Sequence, residues 1–153
     1  MRHLLLISCS ATKRHDPGLL PAIQRYQGVV YRVVRRNRPD HLSVWIISAE
    51  FGLIDETCPI PDYDRLMTPE RSRELEQAVS QELDRRLRTE HYTSIFVNLG
   101  THYARTLNAS VIFPHLRAAG FVEEAHGGIG SRLRQTKQWL VACGETQYHT
   151  LDG

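Results

Sequence analysis

The residues best suited to chemistry stand in two short segments. The first, Ser8-Cys9-Ser10-Ala11-Thr12-Lys13, sets a thiol among three hydroxyls and an ammonium, with Arg14, His15 and Asp16 immediately after it. Cations close to a thiol favour the thiolate, the nucleophilic form, so Cys9 and Lys13 form a candidate catalytic pair. Ser8, Ser10 and Thr12 are candidate ligand contacts, and His15 and Asp16 are placed to move protons or orient a ligand. The alternative is structural: Cys9 as a small core residue and Lys13 as a solvated charge. The second segment runs from Ser48 through Phe51, Gly52 and Leu53 to Tyr63 and Asp64. Gly52 suits a turn or a close approach to a ligand, and Phe51 and Tyr63 suit stacking on a planar base. Asp62 and Asp64 are acceptors for protons or base-edge hydrogens, Asp64 being the candidate catalytic carboxylate, and Ser48 joins the binding set. Here too a structural reading competes, with Phe51 and Leu53 filling the core and the prolines stiffening a long loop. Asn98 and Tyr103 add a third group of candidate contacts.

The remaining charge is spread evenly. Nineteen basic and seventeen acidic residues leave a formal net charge of +2, too small to demand a nucleic-acid partner. Arg35, Arg36 and Arg38 cluster with Arg32, as do Arg85, Arg86 and Arg88. Such groups neutralise phosphates in a nucleic-acid backbone or, equally well, solvate the outer faces and C-terminal ends of helices. The eight histidines are scattered without metal-ligand spacing, and three cysteines without a C-x-x-C unit give neither a disulfide framework nor a zinc site. No metal and no cofactor are expected. Gly127-Gly-Ile-Gly130 reads as a turn rather than a phosphate cradle.

The elements that must position these groups follow from periodicity. His3 to Ser8 and Ser43 to Ser48 are continuous apolar runs of the kind buried on both faces of a parallel sheet. Between them Pro21 opens a helix to about Arg36, with Ile23, Val30, Val33 and Val34 inward and Gly28 weakening its middle. A long loop from Ala49 to Leu66 follows the second strand. Thr68-Pro69-Glu70 starts a helix whose stripe is Leu75, Val79, Leu83 and Leu87. Ser94 to Asn98 is a third strand leading into a short helix from Thr101 to Leu107, Ala109 to Phe113 a fourth strand, Ser131 to Lys137 an amphipathic segment, and Trp139 to Cys143 a last strand or packed tail. The alternation predicts one α/β domain over residues 1–153, a three-layer sandwich around a mainly parallel sheet of four to five strands. Loops leaving Ser8, Ser48 and Asn98 should then share the carboxyl rim, where such sheets bind ligands.

Ser48-Ala-Glu-Phe-Gly-Leu-Ile54 with Ile60-Pro-Asp-Tyr-Asp64 resembles the Ser-x-x-Tyr-Gly-Leu-Leu…Ile-x-Pro-Tyr signature of the YaaA peroxide stress family. Ile7-Ser-Cys-Ser-Ala-Thr-Lys13 is similar to that family's opening Ile-Ser-Pro-Ala-Lys-Thr, and Val97 to Tyr103 to its Leu-Ala-Ser-Asn-Glu-Tyr segment, before Val111-Ile-Phe-Pro114. The chain also resembles a group of short bacterial proteins that begin with Ser-Cys-Ser-x-Thr-Lys, and Cys9 and Lys13 match the Cys-x-x-x-Lys spacing of archaeosine synthase, with Arg14 and His15 where that segment has Pro-Tyr. The resemblance implies a fold related to uracil-DNA glycosylases and a nucleobase or nucleic-acid connection.

Composition and the lack of a leader or a spanning segment predict a cytoplasmic protein with no membrane partner. The expected function is a nucleic-acid-associated protein with a nucleobase- or nucleotide-sized pocket, extending to base modification or base release by a glycosylase or transferase. The alternatives are a noncatalytic DNA-binding stress-protection module and a small-molecule nucleotide hydrolase or transferase. The expected partner is accordingly a nucleobase, a nucleotide or nucleic acid, and the oligomeric state stays open.

Overall fold

Apolar runs with no polar alternation must be covered on both sides, and the computed structural model shows how. It describes residues 1–152, with side chains through residue 145. The elements in chain order are β1 (His3–Ser8), β2 (Leu20–Pro21), α1 (Ala22–Arg25), α2 (Val29–Asn37), β3 (Leu42–Ser48), β4 (Gly52–Asp55), β5 (Pro59–Ile60), α3 (Pro69–Thr89), β6 (Ser94–Asn98), α4 (Thr101–Arg105), α5 (Ile112–Ala118), β7 (Val122–Glu124) and α6 (Ile129–Asp152). A five-stranded sheet runs in the order β4-β3-β1-β6-β7, parallel except for β4. Leu5, Ile7, Val44, Ile46 and Phe96 point to one core, shared with Tyr31 and Val34 of α2 and Trp139 and Leu140 of α6. Leu4, Leu6, Trp45, Ile47, Ile95 and Val97 point to the other, shared with the α3 stripe Leu75, Val79, Leu83 and Leu87. Each central strand therefore feeds two cores, which is why β1 and β3 read as unbroken apolar runs. Among the described residues no helix is long and apolar enough to cross a membrane.

Several elements depart from the pattern. The helix expected from Pro21 to Arg36 is two helices, because Tyr26 takes an extended conformation (φ −82°, ψ 132°) and forms an antiparallel bridge with Lys13. Gly28 is the N-cap of α2, and a Cβ there would lie 2.5 Å from the Ser10 hydroxyl, so glycine lets the first loop pack on the helix start. The Ala49–Leu66 segment is not one loop: Gly52, at φ 73°, turns the chain back so that β4 pairs antiparallel with β3, and β5 joins β2 in a small ribbon.

Ala109 to Phe113 is not a strand. Its start is captured by buried Asp84 of α3, which accepts from the Ser110 hydroxyl and from the backbone N–H groups of Val111 (2.9 Å) and Ile112 (3.2 Å), and so caps α5. The further strand is β7, whose Val122-Glu-Glu sequence carries no apolar run. Trp139 to Cys143 lies within α6. The start of α3 follows its sequence signals, with the Thr68 hydroxyl accepting from Arg71 N–H at 3.0 Å and Pro69 at the first helical position.

Candidate functional site

Parallel pairing in register brings the ends of three strands to one rim: Ile7 pairs with Ile46 on one side and Asn98 on the other, and Ser8 with Ile47. From the end of β1 the chain crosses to the face holding α2 and α6. From the end of β6 it enters α4, which packs with α3 on the opposite face. Strand connections that diverge in this way leave a crevice between the strand ends. A cleft of about 510 Å³ occupies that position. Ser8, Asn98 and Thr101 supply its polar wall, and Val29 and Val30 at the start of α2 with Ile129 and Leu133 of α6 supply the apolar one. Val29 is 55% exposed and Ile129 is 81% exposed, so apolar surface in the cleft faces solvent. The Asn98 amide donates to the Thr136 hydroxyl at 3.1 Å, which fixes its orientation. Arg132 closes one end and is held by the carbonyls of Gly127 (2.9 Å) and Leu99 (3.0 Å).

A second, closed polar cluster lies over β1 and β3. The Tyr63 hydroxyl hydrogen-bonds to the Tyr26 hydroxyl (2.6 Å) and to the Ser48 hydroxyl (2.9 Å), while Ser48 also accepts from the N–H groups of Glu50 and Phe51, both at 3.1 Å. Cys9 Sγ and the Tyr103 hydroxyl share a hydrogen bond at 3.2 Å. The Lys13 ammonium lies 4.6 Å from the centre of the Tyr63 ring, and its hydrogen bond to the Ala11 carbonyl is long, at 3.5 Å. Lys13 is only 8% exposed, and no carboxylate among the described residues pairs with it. Burial pushes the Tyr26 phenol up to about 12, and burial drives Tyr63 and Tyr103 higher still. At neutral pH these hydroxyls are protonated, so the corner offers neutral donors beside one cation.

Buried Arg25 fixes the approach to this corner. Its guanidinium donates to the carbonyls of Arg14 (2.8 Å), Asp16 (2.9 Å), Gly18 (2.8 Å) and Ile60 (3.3 Å), tying the loop after Lys13 to β5. Tyr31 donates to the Ser8 carbonyl at 2.8 Å, and the Ser8 hydroxyl accepts from Gly100 N–H at 3.2 Å, joining the rims of β1 and β6.

The residues singled out by sequence divide into three groups. Cys9, Lys13, Ser48, Tyr63 and Tyr103 meet in the corner, where Phe51 packs edge-on against Tyr63 with ring centres 5.1 Å apart. Ser8 and Asn98 line the cleft. The others serve differently. Gly52 is buried where β4 begins, near Val79 and Leu75, and makes the turn. Ser10 meets Gly28, and exposed Thr12 presents its carbonyl to Gln27 N–H at 2.9 Å. Asp64 is exposed and stands outside the hydrogen-bonded network, whereas Asp62 accepts from His15 at 2.8 Å, a bond that holds its carboxyl below the usual value. Arg35 and Arg36 are exposed on α2, with Arg35 donating to the Ile23 carbonyl at 3.3 Å, and Arg38 is paired to Glu56 at 2.6 and 2.9 Å. Arg85 and Arg86 are likewise paired, with Glu82.

Sequence reasoning passed over Arg25, Tyr26, Tyr31, Arg132 and the apolar pairs of the cleft. One signal was available: Tyr26 and Tyr31 are five residues apart, a spacing that cannot share one face of a continuous helix. A search of curated proteins finds no match to the chain. A family model described as a family of unknown function matches residues 4–138, a span that holds both rim loops, every strand apart from His3 of β1, and the start of α6. With that extent of agreement, the chain belongs to the family of unknown function DUF6884.

Proposed function

We propose that the cleft above β1 and β6 binds a nucleobase or nucleotide, and that Cys9, Lys13, Tyr63 and Tyr103 form the chemically active wall next to it. The observation that carries the reading is the cleft itself: solvent-facing apolar residues from two helices stand opposite an oriented amide and hydroxyls at a switch point of a parallel sheet. Base recognition needs this pairing of a flat apolar surface with a few fixed polar groups. Ser8 lines the cleft and Cys9 follows it directly, so the reading extends to base modification or base release. The proposal carries with it kinship to the YaaA and uracil-DNA-glycosylase-like folds, with which the parallel β3-β1-β6 core is compatible as it is with other α/β folds.

The ion pairing favours a free nucleotide or base over a long polymer. Arg38, Arg85 and Arg86 are engaged by carboxylates, which reduces the phosphate-neutralising stripe that a polymer would need. A thermal-shift panel of nucleobases, nucleosides, nucleotides and short oligonucleotides tests the reading, with mass analysis of any hit after incubation. Base-containing compounds should raise the melting temperature of the native chain and fail to do so in Ile129→Asp. A flat response across the panel overturns the proposal.

A further inference from the structure

A second cavity, of about 360 Å³, lies at the ends of β6 and β7. Thr101 and Arg132 belong to its wall and to the wall of the cleft, so the two compartments adjoin along the carboxyl rim. Their chemistry differs. The first has Val29, Val30, Ile129 and Leu133 in its wall with one arginine, whereas the second sets Arg105, Arg117 and Arg132 with a single carboxylate, Glu124, among aliphatic residues such as Val97 and Leu99. Arg117 uses that carboxylate, with its Nε donating to Glu124 Oε1 at 2.9 Å. Arg132 is held by carbonyls and has no carboxylate partner among the described residues. The Arg105 guanidinium has neither an ion pair nor a hydrogen bond among the described residues. Positive charge therefore exceeds negative charge around a concave space next to a more apolar one, which is the pattern an anion matches.

We infer that this second compartment is a phosphate subsite, and that the ligand of the paired cavities is a nucleoside carrying a 5′-diphosphate or a comparable linear phosphate chain. The inference deepens the nucleotide reading and rests on it for the base, but the phosphate chemistry stands on the arginines. The planar guanidinium fork of Arg105 binds phosphate oxygens in a pair, and Arg132 and Arg117 add the donors not taken by the Gly127 and Leu99 carbonyls and by Glu124. A base in the first compartment would send its phosphates past Thr101, which lines both spaces.

The test uses calorimetry on the full chain with the common ribonucleosides, their 5′-mono- and diphosphates, and inorganic pyrophosphate. The diphosphate of the preferred nucleoside should bind on the order of tenfold or more tighter than the nucleoside. Arg105→Gln should remove most of that gain, leave nucleoside affinity unchanged, and abolish pyrophosphate binding. Arg105 is exposed and unpaired, so this variant should keep the native melting temperature. A nucleoside that binds while its diphosphate gains nothing overturns the phosphate subsite and leaves the base reading intact. A gain that survives Arg105→Gln also overturns the subsite. Pyrophosphate binding that depends on Arg105, without any nucleoside binding, supports the subsite and overturns the base reading. Absence of all binding overturns both.

Discussion

The corner above β1 and β3 and the cleft above β1 and β6 start from the same strand and are finished in opposite ways. In the corner, hydroxyls satisfy one another, a thiol meets a phenol, and a cation lies against an aromatic ring under little solvent. In the cleft, the polar groups are oriented but few, and the apolar residues are left uncovered. A closed polar cluster holds geometry, because its hydroxyls are bonded to one another and movement would leave a buried group unmet. An open apolar slot holds binding energy in reserve, because covering it with a ligand releases water that the fold itself has not displaced. Under the proposed reading the two regions divide positioning from capture, and substitutions should separate them.

The largest effect is expected where the corner is anchored. Arg25→Met removes the donor to four carbonyls in a fully buried place and should destabilise the fold by about 3–5 kcal/mol, read as a lower midpoint in urea. A loss below about 1 kcal/mol would mean that the loop holds itself and the corner is not anchored from beneath. The next effect is alkaline. Because burial raises the Tyr26 phenol from 10.0 to about 12, the fold favours the protonated form, and its contribution is complete below pH 10 and is lost as pH rises towards 12. The loss for this group alone is about 2–3 kcal/mol. Denaturation midpoints measured across that interval should fall together with the appearance of phenolate absorbance, and a midpoint that stays level would show that the corner opens to solvent easily.

Lys13→Met sharpens the contrast by reversing its sign. A buried ammonium without a carboxylate partner is a cost to folding, so the neutral side chain should leave stability unchanged or raise it by about 1 kcal/mol while weakening any ligand-dependent activity. A large destabilisation would instead make Lys13 a structural pin. The smallest effect on stability belongs to the cleft: Ile129→Asp changes a side chain that is already 81% exposed and should alter the unfolding stability by less than about 0.5 kcal/mol, while abolishing the base binding proposed for the cleft.

Much of this division was legible in the residues. The unbroken runs Leu4 to Ile7 and Val44 to Ile47 announced strands covered on both faces, and parallel pairing then carried Ser8, Ser48 and Asn98 to one rim. Thr68-Pro69 announced α3 with its own cap. Long-range partners were hidden. Nothing local to Ser110 reveals that Asp84, 26 residues earlier, caps the helix there, and so Val111-Ile-Phe113 resembled a strand. The three residues of β7 are held by pairing with β6 rather than by an apolar pattern of their own. Nothing local marks Arg25, which lies within the expected Pro21–Arg36 helix, as buried; it is fully buried because the carbonyls that receive it come from Arg14, Asp16, Gly18 and Ile60. The cleft's apolar residues were invisible for a related reason: Val29 and Ile129 lie at the starts of helices 100 residues apart.

The two ends of the sheet carry a consequence for crowding. A long, flat outer strand is a template on which other chains add strands and aggregate. Here β3, buried along all of its length except Ser43, is shielded by β4, and the outermost strands are only four residues long at the β4 side and three at the β7 side. Two of the three β7 residues are exposed glutamates, of which Glu124 is paired with Arg117 and Glu123 is left to repel a like edge approaching from another copy. The strands richest in aggregation-prone sequence are thus kept at the centre, and those that face other molecules are too short and too charged to seed a growing sheet.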